Sequence, residues 1–186
     1  MTKLNEKRVA ILATNGFEES ELVSPMAALK NKGVQVDIIS EDSGEIKAWK
    51  DGNWSDSYKV DKTIKEASVD YYNALVLPGG VMNPDKLRRN GDAVEFVRGF
   101  FRAHKPVAAI CHAGWMLAEA DVLRDRKITS FHAIKTDMEN AGALWVDEAV
   151  VVDSGLVTSR SPADLEAFNA KVIEEVAEGK HEEQTV

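Results

Sequence analysis

The stretch Val107-Ala-Ala-Ile-Cys-His-Ala-Gly114 decides the fold, because an uninterrupted apolar run gives way abruptly to a thiol and an imidazole. A continuous apolar run is typical of a central parallel strand that is covered on both faces. Ala74-Leu-Val-Leu77 has the same character and ends in Pro78-Gly79-Gly80. Two such strands, each followed by a candidate site loop, predict an α/β fold with a mostly parallel central sheet.

The N-terminal part of the chain extends this pattern. Val9 to Ala13 reads as a strand, and a helix follows with Leu22, Met26 and Leu29 on one face. Gly33 ends that helix before a second strand over residues 34–39. These elements form a βαβ unit, whose crossover is right-handed.

The middle and end of the chain predict a hairpin and three helices. Asp51-Gly52, between two alternating segments, favours a surface hairpin from Gly44 to Val60. Helical patterns occupy residues 85–103 and 113–120. Ser161-Pro162 supplies a cap and first-turn proline for a last helix ending near residue 178.

Length and composition predict how the chain is organised. It has 186 residues, 44% of them hydrophobic and 29% charged. These values, with no internal repeat or linker, predict a single domain over residues 1–186. The polar segment 179–186 is expected to be a flexible tail.

The charge balance excludes some partners. Lys and Arg number 23 against 31 Asp and Glu, a net charge of −8, which disfavours nucleic acid and anionic lipid as ligands. No apolar run approaches the roughly 20 residues that cross a bilayer, and the first residues lack the apolar centre of a secretory signal. We therefore expect a cytoplasmic protein without nucleic-acid or membrane partners.

Cys111, the single cysteine, carries the predicted chemistry. At a turn from strand to helix, backbone amides stabilise a thiolate and lower the thiol pKa, here to an expected value below about 7. The same turn is the nucleophile elbow of serine hydrolases. The alternative is that Cys111 is a small buried hydrophobic residue.

Backbone amides beside the thiol predict an oxyanion hole. The N–H groups of Gly80 and His112 are the candidate donors. From the Gly-Gly sequence alone, an ordinary strand-end turn is an equally good interpretation. Gly79, Ala113 and Trp115 are predicted to line the pocket, with Trp115 as a wall beside the elbow.

Acidic residues are the candidate proton carriers. Glu18, after the first strand, is expected to approach the sulfur and to act only if it keeps its proton. The alternative is an ordinary acidic partner of the helix dipole. Asp85 is a candidate for orienting His112, or simply a helix-start acid, and His132 is a weaker candidate base.

The sequence contains no known cofactor or metal motif. HExxH, GxSxG, GxxxxGK[ST] and GxGxxG are all missing, and one cysteine cannot form an all-cysteine metal site. We expect no metal and no cofactor.

Several fragments together resemble the PfpI family of the class I glutamine amidotransferase-like superfamily. They occur in order over nearly the whole chain: Gly16-Phe-Glu-Glu19, Ala74-Leu-Val-Leu-Pro-Gly-Gly80, Lys105-Pro-Val-Ala-Ala-Ile-Cys-His112, Val122-Leu-Arg-Asp-Arg-Lys127, Asn140-Ala-Gly-Ala143, Val150-Val-Val-Asp153 and Ser159-Arg-Ser-Pro-Ala-Asp164. The chain departs from the common Cys-His-Gly-Pro by having Ala113 and Gly114. The resemblance implies a flavodoxin-like three-layer sandwich and a homodimer or larger homo-oligomer.

The resemblance also implies roles for the site residues. Cys111 is the nucleophile, His112 its neighbour and Glu18 the carboxyl group on the sulfur, while Asp85 aligns with an acid that reaches the histidine from an adjacent subunit in some members. A full glutamine amidotransferase triad has a histidine late in the chain, where this sequence has only His181. Ammonia transfer from glutamine is therefore not expected.

Three functions follow from these residues. The leading hypothesis is a cytosolic stress-response hydrolase in which the Cys111 thiolate attacks small carbonyl compounds or glycated groups, as in deglycases and glyoxalases. The second is an intracellular cysteine peptidase that uses Cys111, His112 and Asp85. The third is a redox sensor that works through oxidation of Cys111.

Overall fold

A computed structural model describes residues 3–186. These residues form twelve strands: β1 (Arg8–Leu12), β2 (Phe17–Glu18), β3 (Gln35–Ser40), β4 (Glu45–Lys50), β5 (Asn53–Lys59), β6 (Lys62–Thr63), β7 (Ala74–Leu77), β8 (Val107–Ile110), β9 (Lys127–Ile128), β10 (Leu144–Trp145), β11 (Val150–Asp153) and β12 (Leu156–Ser159). The α-helices of the same residues are α1 (Glu19–Lys30), α2 (Met82–Leu87), α3 (Gly91–Arg102), α4 (Gly114–Glu119), α5 (Lys135–Asn140) and α6 (Leu165–Glu178).

The main sheet has seven strands in the order β11-β12-β8-β7-β1-β3-β6. Only the β11–β12 pair among them is antiparallel. Counted along the chain, the five central parallel strands have the spatial order 2-1-3-4-5, which is the flavodoxin-like order, and the predicted fold class is confirmed. Sheets of this kind bind ligands at their carboxyl edge where the strand order reverses, here between β1 and β7.

Helices cover both faces of this sheet and bury two hydrophobic clusters. Leu22 and Leu29 of α1 pack with Phe168 of α6 against one face. Phe100 of α3 and Leu117 of α4 pack against the other. The apolar strands are therefore buried on both sides, as their uninterrupted hydrophobic sequences predict.

The predicted hairpin is confirmed as β4 and β5. Asp51 and Gly52 have φ angles of 50° and 78°, the left-handed conformations that a type I′ turn requires. β4 also pairs with β2, which places Trp49 beside Glu18. The hairpin is thus attached to the edge of the sheet where the candidate site lies.

The helix predicted over residues 85–103 is in fact two helices. α2 begins earlier, at Met82, and the side chain of Asn90 caps α3 by accepting hydrogen bonds from the backbone N–H groups of Asp92 and Ala93. A cap of this kind begins a new helix, which explains the break. No helix among the described residues has both the length and the apolar character needed to span a membrane.

Residues 179–186 pack against the rest of the domain, in contrast to the flexible tail that their polar sequence predicts. Gln184 is fully buried, and its carbonyl oxygen lies 2.6 Å from Nδ1 of His104. Arg126 donates a hydrogen bond to the carbonyl oxygen of Thr185 at 2.7 Å. These partners come from distant parts of the chain, so the local composition does not reveal them.

Candidate active site

Cys111 lies at the carboxyl end of β8 in a strained backbone conformation. Its φ angle is 63°, in the left-handed region that few non-glycine residues adopt. A single 3-10 turn, Cys111–Ala113, connects the strand to α4. The predicted nucleophile elbow is present. It holds Cys111, a residue that is 8% exposed, at the sheet edge.

The two predicted amide donors both interact with the sulfur. The backbone N–H groups of His112 and Gly80 favour its anionic form. Gly80 has a φ angle of 76°, and a Cβ atom there would lie 2.6 Å from the carbonyl oxygen of Gly16. Only glycine fits this position, so the close approach of the two loops fixes the donor.

The carboxyl group that interacts with Cys111 is that of Glu21. Glu21 is fully buried, and its Oε2 accepts a hydrogen bond from the Gly79 N–H at 2.8 Å. Its Oε1 is buried and has no hydrogen-bond partner among residues 3–186. One carboxylate oxygen is therefore fixed by the Gly-Gly loop while the other is available to the site.

The prediction that Glu18 contacts the sulfur is wrong. Glu18 precedes α1 at its N-cap, accepts a hydrogen bond from the Ser20 hydroxyl at 3.3 Å and lines the cavity instead. The short strand β2 delays the start of the helix, so Glu21, in the first turn, reaches the sheet edge. A signal was present in the sequence, since Glu21, Pro25 and Leu29 lie four residues apart on one buried helix face.

Burial raises the pKa values of both groups. It raises the pKa of Glu21 to about 8, although the Gly79 N–H acts in the opposite direction. Burial, followed by the Glu21 carboxylate, raises the pKa of the Cys111 thiol above its ordinary value despite the two amides. The prediction that the thiol pKa is lowered is therefore wrong, because burial outweighs the two amide donors.

Protonation of Glu21 changes this balance. A neutral carboxyl group has no charge to repel a thiolate, and its O–H can donate a hydrogen bond to sulfur. Cys111 and Glu21 therefore titrate as a linked pair.

His112 contacts the sulfur directly. Its Nδ1 lies 3.2 Å from Sγ of Cys111. The imidazole stacks on Phe131 at 4.8 Å between ring centres and meets Trp115 edge to face at 5.1 Å. Burial, with a smaller effect of His132, lowers the pKa of His112, so the ring is neutral at neutral pH and able to accept a proton.

Asp85 does not orient His112 within this chain. Its exposed carboxylate pairs with Arg88 at 3.1 Å, and among the described residues no carboxylate is hydrogen-bonded to the His112 ring. Arg88 in turn lies over the Trp115 ring at 4.7 Å. Asp85 thus reaches His112 only through these two intermediate side chains.

His132 does not approach the sulfur either. It is exposed and packs against Phe131 at 4.4 Å between ring centres. This agrees with the interpretation of His132 as a solvated histidine.

A cavity of about 530 Å³ opens above the thiol. It is lined by Gly16, Glu18, Glu21, Trp49, Gly80, Val81, Met82, Cys111, His112, Phe131 and Pro162. The lining is mostly apolar, and within the described chain it contains no lysine or arginine.

The three residues predicted to line this pocket do not line it. Ala113 is fully buried in the core, which is why a methyl group in place of glycine is accommodated. Gly79 packs behind the site between Glu21 and Cys111. Trp115 packs on the His112 ring and donates a hydrogen bond to Asp137 at 2.8 Å, so it supports the histidine.

A separate group of possible metal ligands lies at the opposite end of α6 from the cavity. Ligand atoms of Glu175, Glu178 and His181 lie within 4.8 Å of one another. Glu175 and His181 form an ion pair at 2.7 Å, and this contact accounts for their proximity.

A strained cysteine on a flavodoxin-like sheet, in contact with an imidazole and a buried carboxyl group, defines the class of α/β proteins with a nucleophile elbow. Within that class, the chain belongs to the DJ-1/PfpI family, whose sequence pattern matches residues 7–175.

Two curated relatives are similar over nearly their full length. The chain is 45% identical to Deglycase PfpI of Pyrococcus furiosus over 161 residues, which cover 87% of this chain and 94% of that protein. It is 43% identical to Protein/nucleic acid deglycase 2 of Escherichia coli over 168 residues, which cover 90% and 96% of the two chains.

A crystal structure of a two-domain protein from Anabaena variabilis, with DJ-1/ThiJ/PfpI-like and ferritin-like domains, superposes with a TM-score of 0.87 at 40% identity. The match covers 92% of this chain and 48% of that protein, so this chain corresponds to about half of its length.

Proposed function

We propose that the protein is a PfpI-type cysteine hydrolase that removes carbonyl adducts from amines or thiols, as a deglycase does. The observation that carries this proposal is the convergence of four groups on one sulfur. Two backbone N–H groups, an imidazole nitrogen and a buried carboxyl group all interact with Cys111. The names of the two curated relatives support the same activity.

The first step uses His112 as the base. As Sγ of Cys111 attacks the carbonyl carbon, its proton passes to Nδ1 of His112, and a C–S bond forms. The π electrons of the carbonyl move to its oxygen. The N–H groups of Gly80 and His112 stabilise the resulting oxyanion.

The second step uses Glu21 as the acid. Its raised pKa of about 8 keeps the carboxyl group protonated at neutral pH. It donates its proton to the departing nitrogen or sulfur as the oxyanion collapses and the bond between that atom and the attacked carbon breaks. The fragment stays bound to Cys111 until water attacks the same carbon and Glu21 takes one proton of that water. The C–S bond to Cys111 then breaks, and His112 returns its proton to the sulfur. Over the cycle one water is consumed: the amine or thiol leaves with one of its hydrogens and the fragment leaves with its hydroxyl. No external oxidant or reductant is required.

The family resemblance supports further parts of the proposal. We place the activity in the cytoplasm, in a homodimer or larger homo-oligomer. Small carbonyl compounds, glycated groups and peptides are the substrate classes that this resemblance implies.

The decisive experiment follows the release of a thiol or amine from its methylglyoxal adduct. Release must be faster than the spontaneous dissociation of the adduct, because scavenging of free methylglyoxal would only match that rate. We expect Cys111→Ser to abolish the enzymatic rate and Glu21→Gln to lower it by about 10²-fold or more, the usual contribution of a positioned acid. An unchanged rate in Cys111→Ser would refute the proposal.

A peptidase remains the second candidate, favoured by the 3.2 Å contact between Sγ and the His112 ring. Peptide hydrolysis requires protonation of an amine leaving group, so it demands an oriented histidine. Casein cleavage without adduct removal would favour this alternative.

A redox sensor is the third candidate, and the interaction of Glu21 with Cys111 favours it. With no second cysteine in the chain, oxidation would give a sulfenic or sulfinic acid rather than an internal disulfide. Stoichiometric uptake of oxygen from peroxide, without turnover of either substrate class, would support it.

A further inference from the structure

The hairpin contributes one wall of the cavity above Cys111. Glu18 of β2 and Trp49 of β4 are paired residues in the small sheet, and both side chains line the cavity. The proposed chemistry of the sulfur uses neither of them.

The carboxyl group of Glu18 has no ion-pair partner among the described residues. The nearby Lys50 lines a neighbouring cavity with Glu18, but its ammonium group pairs with Glu19 at 3.3 Å. Asp51, at the turn of the hairpin, adds a second negative charge, and burial together with this carboxylate raises the pKa of Glu18. The lining contains no lysine or arginine that could compensate.

Trp49 provides an aromatic surface next to this carboxylate. Its ring is half-buried and is held edge to face by Trp54, with 5.4 Å between ring centres and an interplanar angle of 87°. The face of an indole attracts cations, most strongly where water is excluded. A carboxylate and an indole on the same wall therefore form a combination suited to a positive group.

A second carboxyl group, that of Glu21, also favours a cationic ligand. Glu21 lines the same cavity, and its Oε1 is buried with no hydrogen-bond partner among residues 3–186. Outside the two N–H groups at the sulfur, the side chains that line this space are carboxyl groups, the His112 ring and apolar groups, and they offer no cation to an anionic ligand.

We propose that Glu18 and Trp49 form a subsite for a cationic group, so that the enzyme selects substrates with an ammonium or guanidinium group a few atoms from the reacting carbonyl and rejects substrates with a carboxylate there. This inference rests on the proposed function, because it names the substrate class of the same site. It assigns a specificity role to a hairpin that otherwise has only a structural one.

Alkylation of Cys111 tests the subsite without relying on turnover. Three probes share the iodoacetyl reactive group: iodoacetate is anionic, iodoacetamide is neutral, and an iodoacetamide bearing a trimethylammonium-ethyl group on its amide nitrogen is cationic. Each rate is divided by the rate of the same probe with 2-mercaptoethanol. We expect the normalised rate of the cationic probe to exceed that of iodoacetate by about tenfold or more, and the ratio to fall at high salt.

Three variants locate the effect. Glu18→Gln should reduce the cation-to-anion ratio severalfold, and it removes no helix cap, because the Glu18 side chain forms no capping hydrogen bond. Trp49→Leu should slow the cationic probe more than the neutral one. Glu45→Gln, an exposed residue at the far end of the same hairpin, changes the net charge equally and should leave the ratios as in the wild type.

Two outcomes overturn the inference. One is a wild-type protein that reacts with all three probes at equal normalised rates. The other is a selectivity that Glu45→Gln reduces as much as Glu18→Gln does, since this would reflect overall charge. Probe selectivity in a protein that removes no adduct would refute the proposed function alone, whereas adduct removal without probe selectivity would refute only the subsite.

Discussion

Glu21 and Cys111 face each other across Gly79. A Cβ atom on Gly79 would lie 2.5 Å from Oε2 of Glu21 and 2.7 Å from Cβ of Cys111, so no side chain fits between them. The bare backbone lets the carboxyl group and the thiol interact, and it supplies the N–H that holds Glu21. The linkage of the two titrations therefore depends on one glycine.

Gly79→Ala should separate Glu21 from Cys111. We expect adduct turnover to fall by about 10²-fold, because the acid loses its position, and stability to fall by about 1–3 kcal/mol from overpacking. Turnover and urea unfolding of the same preparation measure the two effects. Gly91→Ala is the matched control, since a Cβ there meets nothing within 4 Å. Full activity in a folded Gly79→Ala protein would contradict the proposed role of Glu21.

The pH dependence of thiol alkylation should identify which glutamate acts on the sulfur. At about pH 9 Glu21 is charged, given its pKa of about 8, and its carboxylate raises the pKa of Cys111. Glu21→Gln should therefore speed alkylation by iodoacetamide at about pH 9 by roughly tenfold or more. At about pH 6 the carboxyl group is already neutral, and the difference should be less than roughly threefold.

Glu18→Gln is the matched control for that experiment. It should change the alkylation rate less than Glu21→Gln does at about pH 9, because Glu18 bonds to Ser20 and acts on the sulfur only indirectly, through its charge near Glu21. A shift in Glu18→Gln with none in Glu21→Gln would reverse the assignment made from the structure.

Glu21→Gln should also stabilise the protein as the pH rises. Folding raises the pKa of Glu21 from 4.5 to about 8, so the folded state binds this proton more tightly than the unfolded state does. Burial of Glu21 therefore has a cost in folding stability at every pH where Glu21 of the unfolded chain is ionised. The cost is absent below about pH 4.5, grows through neutral pH and levels off above about pH 8. At pH 7 it amounts to at most about 3 kcal/mol.

Urea unfolding of wild type and Glu21→Gln at about pH 5 and pH 8 measures this dependence. The variant should gain stability relative to wild type between the two pH values. A constant difference would mean that Glu21 is charged in the folded protein.

The sequence predicts the scaffold well because its signals are local. Uninterrupted apolar runs, Asp51-Gly52 in the hairpin and the strand-to-helix position of Cys111 each depend on neighbouring residues, and the structure places them as predicted. The donors Gly80 and His112 follow from two loops at one sheet edge, which the parallel order brings together.

The parts of the site that sequence reasoning missed depend on orientation and long-range packing. The start of α1 at Glu19 decides whether Glu18 or Glu21 faces the sulfur, and element boundaries are the part of a structure that sequence defines least well. Trp49, Phe131 and Pro162 reach the cavity from three distant segments. The direction of the Cys111 pKa depends on burial, which no local pattern reports.

Asp85 should act on the histidine of a neighbouring subunit. Within its own chain Asp85 pairs with Arg88 and does not bond to His112, so the orienting role implied by the family resemblance requires a second copy. Asp85→Asn should impair peptide hydrolysis more than alkylation of Cys111, because alkylation needs no oriented base.

Mixed oligomers distinguish an Asp85 that acts across the subunit interface from an Asp85 that acts within its own chain. When Asp85→Asn and Cys111→Ser chains are unfolded together and refolded, each hybrid contains one site that combines an intact Cys111 with the partner's intact Asp85. An acid that acts across the interface should raise peptide hydrolysis in these hybrids above that of either parent, since Asp85→Asn is impaired and Cys111→Ser lacks the nucleophile. An acid that acts within its own chain leaves no complete site in any hybrid, so a mixture as inactive as its parents would show that Asp85 does not work between subunits.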